Sequence, residues 1–372
     1  MLTPADDFPL HQTADPIAFA GTDRNFYDRF FFNGYDAAQD VFFAVALGVY
    51  PQLNIMDASF CLIHGGQQVN LRASKEMNLD RLNLTVGPIT IDILQPLQLT
   101  QINIDAPDLG LVASLRAQAR HQAIEEPRFT RRQGARAFMD YTRATQNVSW
   151  EGQIECDGAM IDVKSTACFG TRDRSWGVRP VGLADPQPVV PPMEQQFYWL
   201  WTPTNFAAHS LYFHTNDDAA GEPWNRRAVL VDHTTGDMTH FDRMAVETDY
   251  HPASRRVRKI AVQMSSALGD LQARLVCDPI LFYMHGLGYG HPEWAHGRHH
   301  GPLRVACDRI DLGAAEADLR AGQIHYLHVQ ALSHVELDLP QGTIKGAGVV
   351  EQLFIGPHAP SSFTSLLDRI TP

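Results

Sequence analysis

The sequence predicts an all-β chain folded as two similar halves, each an antiparallel barrel or sandwich, with few short helices. Three observations predict it. Apolar and polar residues alternate with a period of two in run after run, the pattern of strands with one buried face. Turn-forming pairs recur between those runs at hairpin spacing, which favours antiparallel meanders over strand–helix–strand units. Four prolines at 186, 188, 191 and 192 mark a stretch unable to donate to a central strand, and it cuts the chain nearly in half. The expected division is 1–185 and 194–372, with 183–193 as the linker.

Taken in order, Leu82, Leu84 and Val86 alternate with polar neighbours, and Ile89, Ile91 and Ile93 resume the pattern after Gly87-Pro88. Leu97 and Leu99 precede Ile102 and Ile104 with a one-residue slip, which reads as a bulge. Hairpin signals stand at HGGQ 64–67, CDGA 156–159, TTGD 234–237, ALGD 267–270 and PQGT 340–343. Leu327, Val329, Ala331, Val335, Leu337 and Leu339 share one face of a late strand region, opposite His328, Gln330, His334, Glu336 and Asp338. Helical periodicity is confined to 314–321 and to 362–370.

Composition narrows the function. With 44% hydrophobic and 19% charged residues among 372, the chain has enough apolar material for filled cores. Asp and Glu total 42 against 30 Lys and Arg, so attraction to nucleic acid or anionic lipid is not expected. The apolar run Val41–Tyr50 is far short of the ~20 residues of a membrane span. The acidic start MLTPADDF lacks the features of a signal peptide. Five cysteines, widely spaced and without a CxxC pair, suggest neither a disulfide framework nor a zinc knuckle. A soluble cytoplasmic protein is expected.

The densest chemistry lies in HGLGYGHPEWAHGRHHG, 285–301. Its histidines lack HExxH or HxH spacing, so no metal is expected, although His285, His291 and His296 are the set a metal enzyme would use. GLGYG is followed by Pro292 rather than a helix, which disqualifies it as a nucleotide loop. No cofactor is expected. In GTRDRSWGVRP, 170–180, Asp173 and Ser175 share one face of a strand and Arg172, Arg174 and Trp176 the other. Arg172, Arg174 and Arg179 suit ion pairs that fasten this segment. In an apolar pocket Asp173 would instead stay protonated and serve as a general acid. The arginine-rich stretch 125–146 reads as a solvated hairpin with acidic partners, and Asp140-Tyr141 within it is a second candidate for proton transfer. FYWLW at 197–201 adds aromatic lining, with Trp199 and Tyr141 as candidate ligand contacts.

Five segments together resemble a known family: DRFFFNGYD 28–36, EEPRFTRR 125–132, GTRDRSWGVRP 170–180, GLGYGHPEWAHG 286–297 and GAGVVEQLFIGPH 346–358. The sequence resembles the AttH-like superfamily, which includes carotenoid 1,2-hydratase (hydroxyneurosporene synthase), and most of all a bacterial branch carrying the HPEWAHG element. The resemblance implies two lipocalin-like β-barrels or sandwiches packed side by side. It also implies activities that hydrate isoprenoid double bonds or cyclise polyketides, or lipid binding alone. Asp173, Trp176 and Gly177 match an Asp-x-x-Trp-Gly region of the hydratase.

The expected function is that of a cofactor-independent lyase or isomerase, a hydratase or a terpenoid cyclase. Its substrate is expected to be a hydrophobic isoprenoid, steroid or polyketide. Asp173, helped by His291 or His296, would deliver a proton, while Trp176, Tyr289 and Trp294 would shield a carbocation-like species. Tyr289, His291, Trp294 and His296 are expected on bent strands of the second barrel, meeting Asp173 and Trp176 around an apolar hollow. The alternatives are a carrier of a hydrophobic metabolite and a histidine-ligated metal enzyme.

Overall fold

The computed structural model describes residues 14–369, except 37, 39, 40, 185, 186, 188, 189, 191–194, 268 and 321. Most of the expected linker therefore lies outside the described residues. The chain forms two compact units. The first comprises Met1–Ala119, Ala123–Met193 and Gly286–Ile310; the second comprises Arg120–Gln122, Glu194–His285 and Asp311–Pro372. The excursion of 286–310 back into the first unit has no counterpart in the division read from the prolines.

The first unit contains β1 (Phe26–Asp36), β2 (Val41–Tyr50), β3 (Ile55–His64), β4 (Gln67–Glu76), β5 (Thr85–Val86), β6 (Ile89–Gln95), β7 (Leu99–Ala106) and β8 (Leu111–Ala119). It continues with β9 (Ile124–Glu125), β10 (Phe129–Gln133), β11 (Arg136–Cys156), β12 (Ala159–Val163) and β13 (Phe169–Val178). The second holds β14 (Phe197–Asn205), β15 (His209–Asp217), β16 (Pro223–Asp232), β17 (Met238–His240), β18 (Arg243–Tyr250), β19 (Val257–Ser266) and β20 (Gly269–Tyr283). After β20 the chain supplies β21 (Leu303–Asp311) to the first sheet, then returns through helix α1 (Leu312–Arg320) to β22 (Val329–Leu339) and β23 (Gly342–Ile355).

The first sheet runs β21-β4-β3-β2-β1-β13-β11-β8-β7-β6-β5, with β9, β10 and β12 added on β11. The second runs β17-β16-β15-β14-β23-β22-β20-β19-β18. Every pairing with a defined register is antiparallel, and the result is an all-β, double lipocalin-like fold. All five hairpin signals fall at strand-to-strand or sheet-edge turns; at HGGQ, for instance, Gly65 and Gly66 take φ of 60° and 77° between β3 and β4.

Each unit has its own core. In the first, Phe32, Val45, Leu47, Phe60, Leu62 and Leu71 from β1–β4 pack against Ile91, Ile102, Leu115 and Trp150 from across the curl. Phe43 meets the Trp150 ring edge-on at 5.0 Å and lies over Gly34, where a Cβ would come within 2.2 Å of the ring. The Trp150 indole donates to the Asn33 carbonyl at 2.9 Å. The inside of this barrel is thus filled with side chains.

Two local expectations need correction. The phase slip near Leu97 marks a chain reversal with a register shift beside it, between Ile93 and Gln95, rather than a bulge within one continuous run: β6 ends at Gln95, Leu97 takes φ of 56°, and β7 starts at Leu99. Residues 362–369 form turns and no helix, and Ile370 lies outside the described residues. There the Asp368 carboxylate accepts from the N–H groups of Thr364 and Ser365, and Arg255 donates to Asp368 and to the Ser365 carbonyl, satisfying that backbone without a helix. By contrast 312–320 is helical, with the Asp311 side chain accepting from the Ala314 N–H at its start.

If the first barrel is a packed core rather than a ligand-holding calyx, Phe43→Ala should cost about 3–5 kcal/mol, the range for a buried phenylalanine. Urea denaturation measures it; a loss below about 1 kcal/mol would mean the interior tolerates empty space.

Candidate active site

The first sheet has a second buried face, opposite its apolar core, and that face is polar. Register places Arg29 of β1 opposite Ser175 of β13 and Gly48 of β2; Gly48 is opposite Asp57 of β3, and Asp57 opposite Ser74 of β4. Arg143 of β11 faces Ser175 from the other side. One row further along, Asp173 pairs with Phe31 and with Thr145. Paired residues in antiparallel strands point the same way, so all these side chains share one face.

The segment 286–301 crosses this face. Tight turns, not bent strands of the second barrel, carry Tyr289, His291, Trp294 and His296. Gly288, Gly290 and Gly297 adopt φ of 97°, 63° and 73°, and with Pro292 they make a continuous strand impossible.

His296 is where the segment is fastened. Its Nε2 lies 2.9 Å from the Leu287 carbonyl. Two guanidinium groups approach its Nδ1: Arg29 Nη1 at 2.8 Å and Arg179 Nη2 at 3.2 Å. The Arg29 nitrogen also stands 2.6 Å from Nε2, straddling the ring edge. Tyr289 meets the same imidazole edge-on at 4.5 Å, with Arg29 5.0 Å and Arg179 5.8 Å from its ring centre. Arg179 also lies 4.5 Å over Tyr27, whose own surroundings include Ser175, Asp173 and Tyr289. The segments 170–180 and 286–297 thus touch through Arg179, His296 and Tyr27, within one unit and on a polar face rather than around an apolar hollow.

Asp57 completes the row. Its Oδ1 accepts from the Tyr50 hydroxyl at 3.1 Å, and its Oδ2 from the Gly297 N–H at 2.7 Å. A Cβ at position 48 would fall 2.2 Å from that hydroxyl and 2.9 Å from Oδ1, so the glycine makes the contact possible. Burial pushes the Asp57 carboxyl above the usual range, outweighing Arg29 and the hydrogen bonds that favour the anion. Burial likewise pushes Tyr50 well up, with Asp57 adding to it. A hollow of about 10 Å³ adjoins Asp57, Ser59, Arg72, Trp294 and His296, room for roughly one water molecule.

The remaining expected residues take other positions. Trp176 is on the opposite face from Asp173 and 41% exposed. Arg174 shares that opposite face, 2.7 Å from Asp28 and 3.7 Å over the Phe30 ring; Arg172 lies over Phe32. The arginines beside Asp173 in sequence therefore point away from it. Arg143, facing the same way as Asp173, donates to Glu126 at 2.8 and 2.6 Å. Tyr141 stacks on Phe129 at 4.6 Å, and burial pushes its hydroxyl far up. His291 turns its Nδ1 to the N–H groups of Glu293 and Trp294, at 3.1 and 3.0 Å, which shapes the turn. Trp294 is buried against His300 and Arg304.

Trp199 belongs to the second unit, where its indole and His328 Nε2 each donate to Glu351 Oε1 at 2.8 Å and Gln330 donates to Oε2 at 2.6 Å. His285 lies there beside His325, with ring centres 4.6 Å apart and tilted by 36°. Among the described residues no three His, Cys, Asp or Glu side chains converge as a metal-binding set. Arg29, Asp57 and Tyr50 were missed as site residues. The available signal was Gly48 within VFFAVALGVY, since a glycine inside a strand marks a close approach.

The model of a family of unknown function (DUF8625) matches residues 2–364. The chain belongs to that family. No curated protein matches it significantly. Among solved structures, one assigned to AttH from Nitrosomonas europaea aligns with a TM-score of 0.51 at 11% identity, over 92% of this chain and 98% of that one. Kievitone hydratase from Nectria haematococca aligns with a TM-score of 0.48 at 9% identity, over 88% of each chain. The AttH likeness is one of fold: this DUF8625 member shares the double lipocalin-like architecture. No helix is long and apolar enough to cross a membrane among the described residues.

Asp57 yields a signed prediction. A carboxyl whose pKa is raised on folding binds its proton more tightly in the native state, so stability falls as pH rises from the ordinary carboxylate range through the raised value. Asp57→Asn should therefore gain thermal stability relative to the parent at neutral pH, and the gap should close on acidification. Melting curves at several pH values check this; a gap that widens toward low pH would show that Asp57 is held as the anion.

Proposed function

We propose that the protein is a hydratase-type lyase that adds water to, or removes it from, a carbon–carbon double bond of a hydrophobic small molecule. One observation carries the reading: the Asp57 carboxyl, biased by burial toward its protonated form, adjoins a hollow the size of one water. In the hydration direction the acid gives its proton to one alkene carbon while water bonds to the other. The proton released by water then restores the carboxyl, so nothing is consumed but water and alkene. Tyr50, hydrogen-bonded to Asp57, shares that proton and keeps the carboxyl oriented.

Asp173 is the second carboxyl of this face, lying three strands from Asp57, a lateral span of about 14 Å. In this proposal it acts on Tyr27 at the far end of the substrate, and His296 holds Arg29 and Arg179 in place without donating a proton. His291 is assigned to shaping the turn. An isoprenoid, steroid or polyketide skeleton, a reaction without cofactor and a cytoplasmic setting belong to the same proposal. A carrier role has separate support in a groove of about 720 Å³ on the second unit, lined by Ile260, Ala261, Leu275, Val276 and Val335 with charged residues around them.

The test is turnover of a panel of prenylated, polyene and polyketide alkenes in isotopically labelled water, with products read by mass spectrometry. Label should enter the product, and Asp57→Asn should lower kcat about 10²–10⁴-fold, the usual worth of a positioned acid. Full turnover by Asp57→Asn would remove it as the acid, and loss confined to Asp173→Asn would transfer the role there. Unmodified ligand retained by the protein, with no label incorporated across the panel, would favour the carrier.

A further inference from the structure

The polar face of the first unit holds cationic charge that its own carboxylates do not pair. Two of its arginines are matched: Arg143 with Glu126 at 2.6 Å, and Arg72 with Asp308. Arg29 and Arg179 are not. Arg29 is 2% exposed, and its contacts are the His296 ring, the Leu287 carbonyl and the face of Tyr289, none of them a carboxylate. Arg179 contacts His296, Tyr27 and Tyr289, again none of them a carboxylate. The Nε atoms of both are buried without a hydrogen-bond partner among the described residues. Asp57 lies within electrostatic range of both guanidinium groups, but its two oxygens are engaged by Tyr50 and by the Gly297 N–H. Buried guanidinium groups are ordinarily satisfied by an anion, and the planar fork suits an oxygen anion best.

We infer that Arg29 and Arg179 form the binding site for an anionic oxygen of the small molecule: a carboxylate, or the enolate or phenolate oxygen of a conjugated carbonyl compound. This rests on the reading of the same face as a lyase site, and it names the substrate class more closely. Two fixed cations oppose a carbocation and stabilise its opposite. Hydration at this site then runs through an enolate. Water oxygen bonds to the β-carbon of an α,β-unsaturated carbonyl and loses its proton to a carboxylate. The π electrons move onto the carbonyl oxygen beside the guanidinium groups, and the α-carbon takes the proton of the acid as the carbonyl re-forms. The net change is one H and one OH added across the double bond. The aromatic rings near these arginines would then confine a conjugated, flat substrate rather than steady a cation.

The experiment uses para-nitrophenol, whose ionised form is distinguished by its visible absorbance, and para-nitroanisole as its non-ionisable counterpart. The intact protein should bind the phenolate form preferentially, lowering the ionisation midpoint of the bound probe by about one pH unit, a tenfold preference. Arg29→Gln and Arg179→Gln should each reduce that shift while binding para-nitroanisole as the parent does, which also shows that they are folded. Failure to bind the probe, binding in the protonated form, or an unchanged shift in both variants would overturn the inference. The readout does not require turnover. Phenolate binding without label incorporation would leave the anion site standing and remove the lyase reading; incorporation of label without phenolate preference would do the reverse.

Discussion

Two guanidinium groups, Arg29 and Arg179, converge on the imidazole of His296. That shared partner fixes much else about the first unit. The Leu287 carbonyl lies 2.9 Å from the other ring nitrogen and holds the far edge of the ring. Further bonds run from the Gly182 N–H to the His296 carbonyl, from Arg72 Nε to the Gly286 carbonyl and from the Gly297 N–H to Asp57. Hydrogen bonds dominate this fastening, so the face beneath it must present donors and acceptors while remaining largely dry. Phe30, Phe32, Val45, Leu47, Phe60, Leu62 and Leu71 of β1–β4 are accordingly turned the other way, into the barrel.

This division explains β2, whose sequence VFFAVALGVY looks apolar throughout. Phe43, Val45 and Leu47 fill the core, whereas Ala44, Ala46 and Gly48 lie on the polar side. There the strand contributes space, and only at its end, through the Tyr50 hydroxyl, a polar group. Larger groups from its neighbours, Arg29 on one side and Asp57 and Ser59 on the other, occupy the room left above it. A site built in this manner depends on what small residues omit, and substituting any one of them would disturb partners two strands apart.

Much of the fold was legible. Period-two patterning and glycine turns are local signals, and they located strands and hairpins because antiparallel neighbours are close in sequence. The same locality set the limits. The slip near Leu97 reflects a real register shift between Ile93 and Gln95, but the alternation alone does not show the tight reversal, at a residue of positive φ, that accompanies it. The C-terminal helix failed because Asp368 and Arg255 satisfy the backbone through partners more than a hundred residues apart. At the site, the alternation that put Asp173 and Ser175 on one face and Trp176 on the other could be read directly. The role of Asp57 could not, since it depends on Gly48, Tyr50 and Gly297 together. Nor did the proline-rich crossing reveal that 286–310 returns to the first unit, because pairing of β21 with β4 is a contact over more than two hundred residues.

That return has a consequence for biosynthesis. A ribosome that has released only the first half of the chain has made β4 without the strand that covers its outer edge, and Arg29 and Arg179 without their acceptor. An uncovered strand edge is a template for pairing with other chains, so the nascent polypeptide carries that hazard until roughly four-fifths of it has emerged. Late closure by β21 makes the barrel's completion a long-range event, slow by nature and sensitive to truncation anywhere before Ile310.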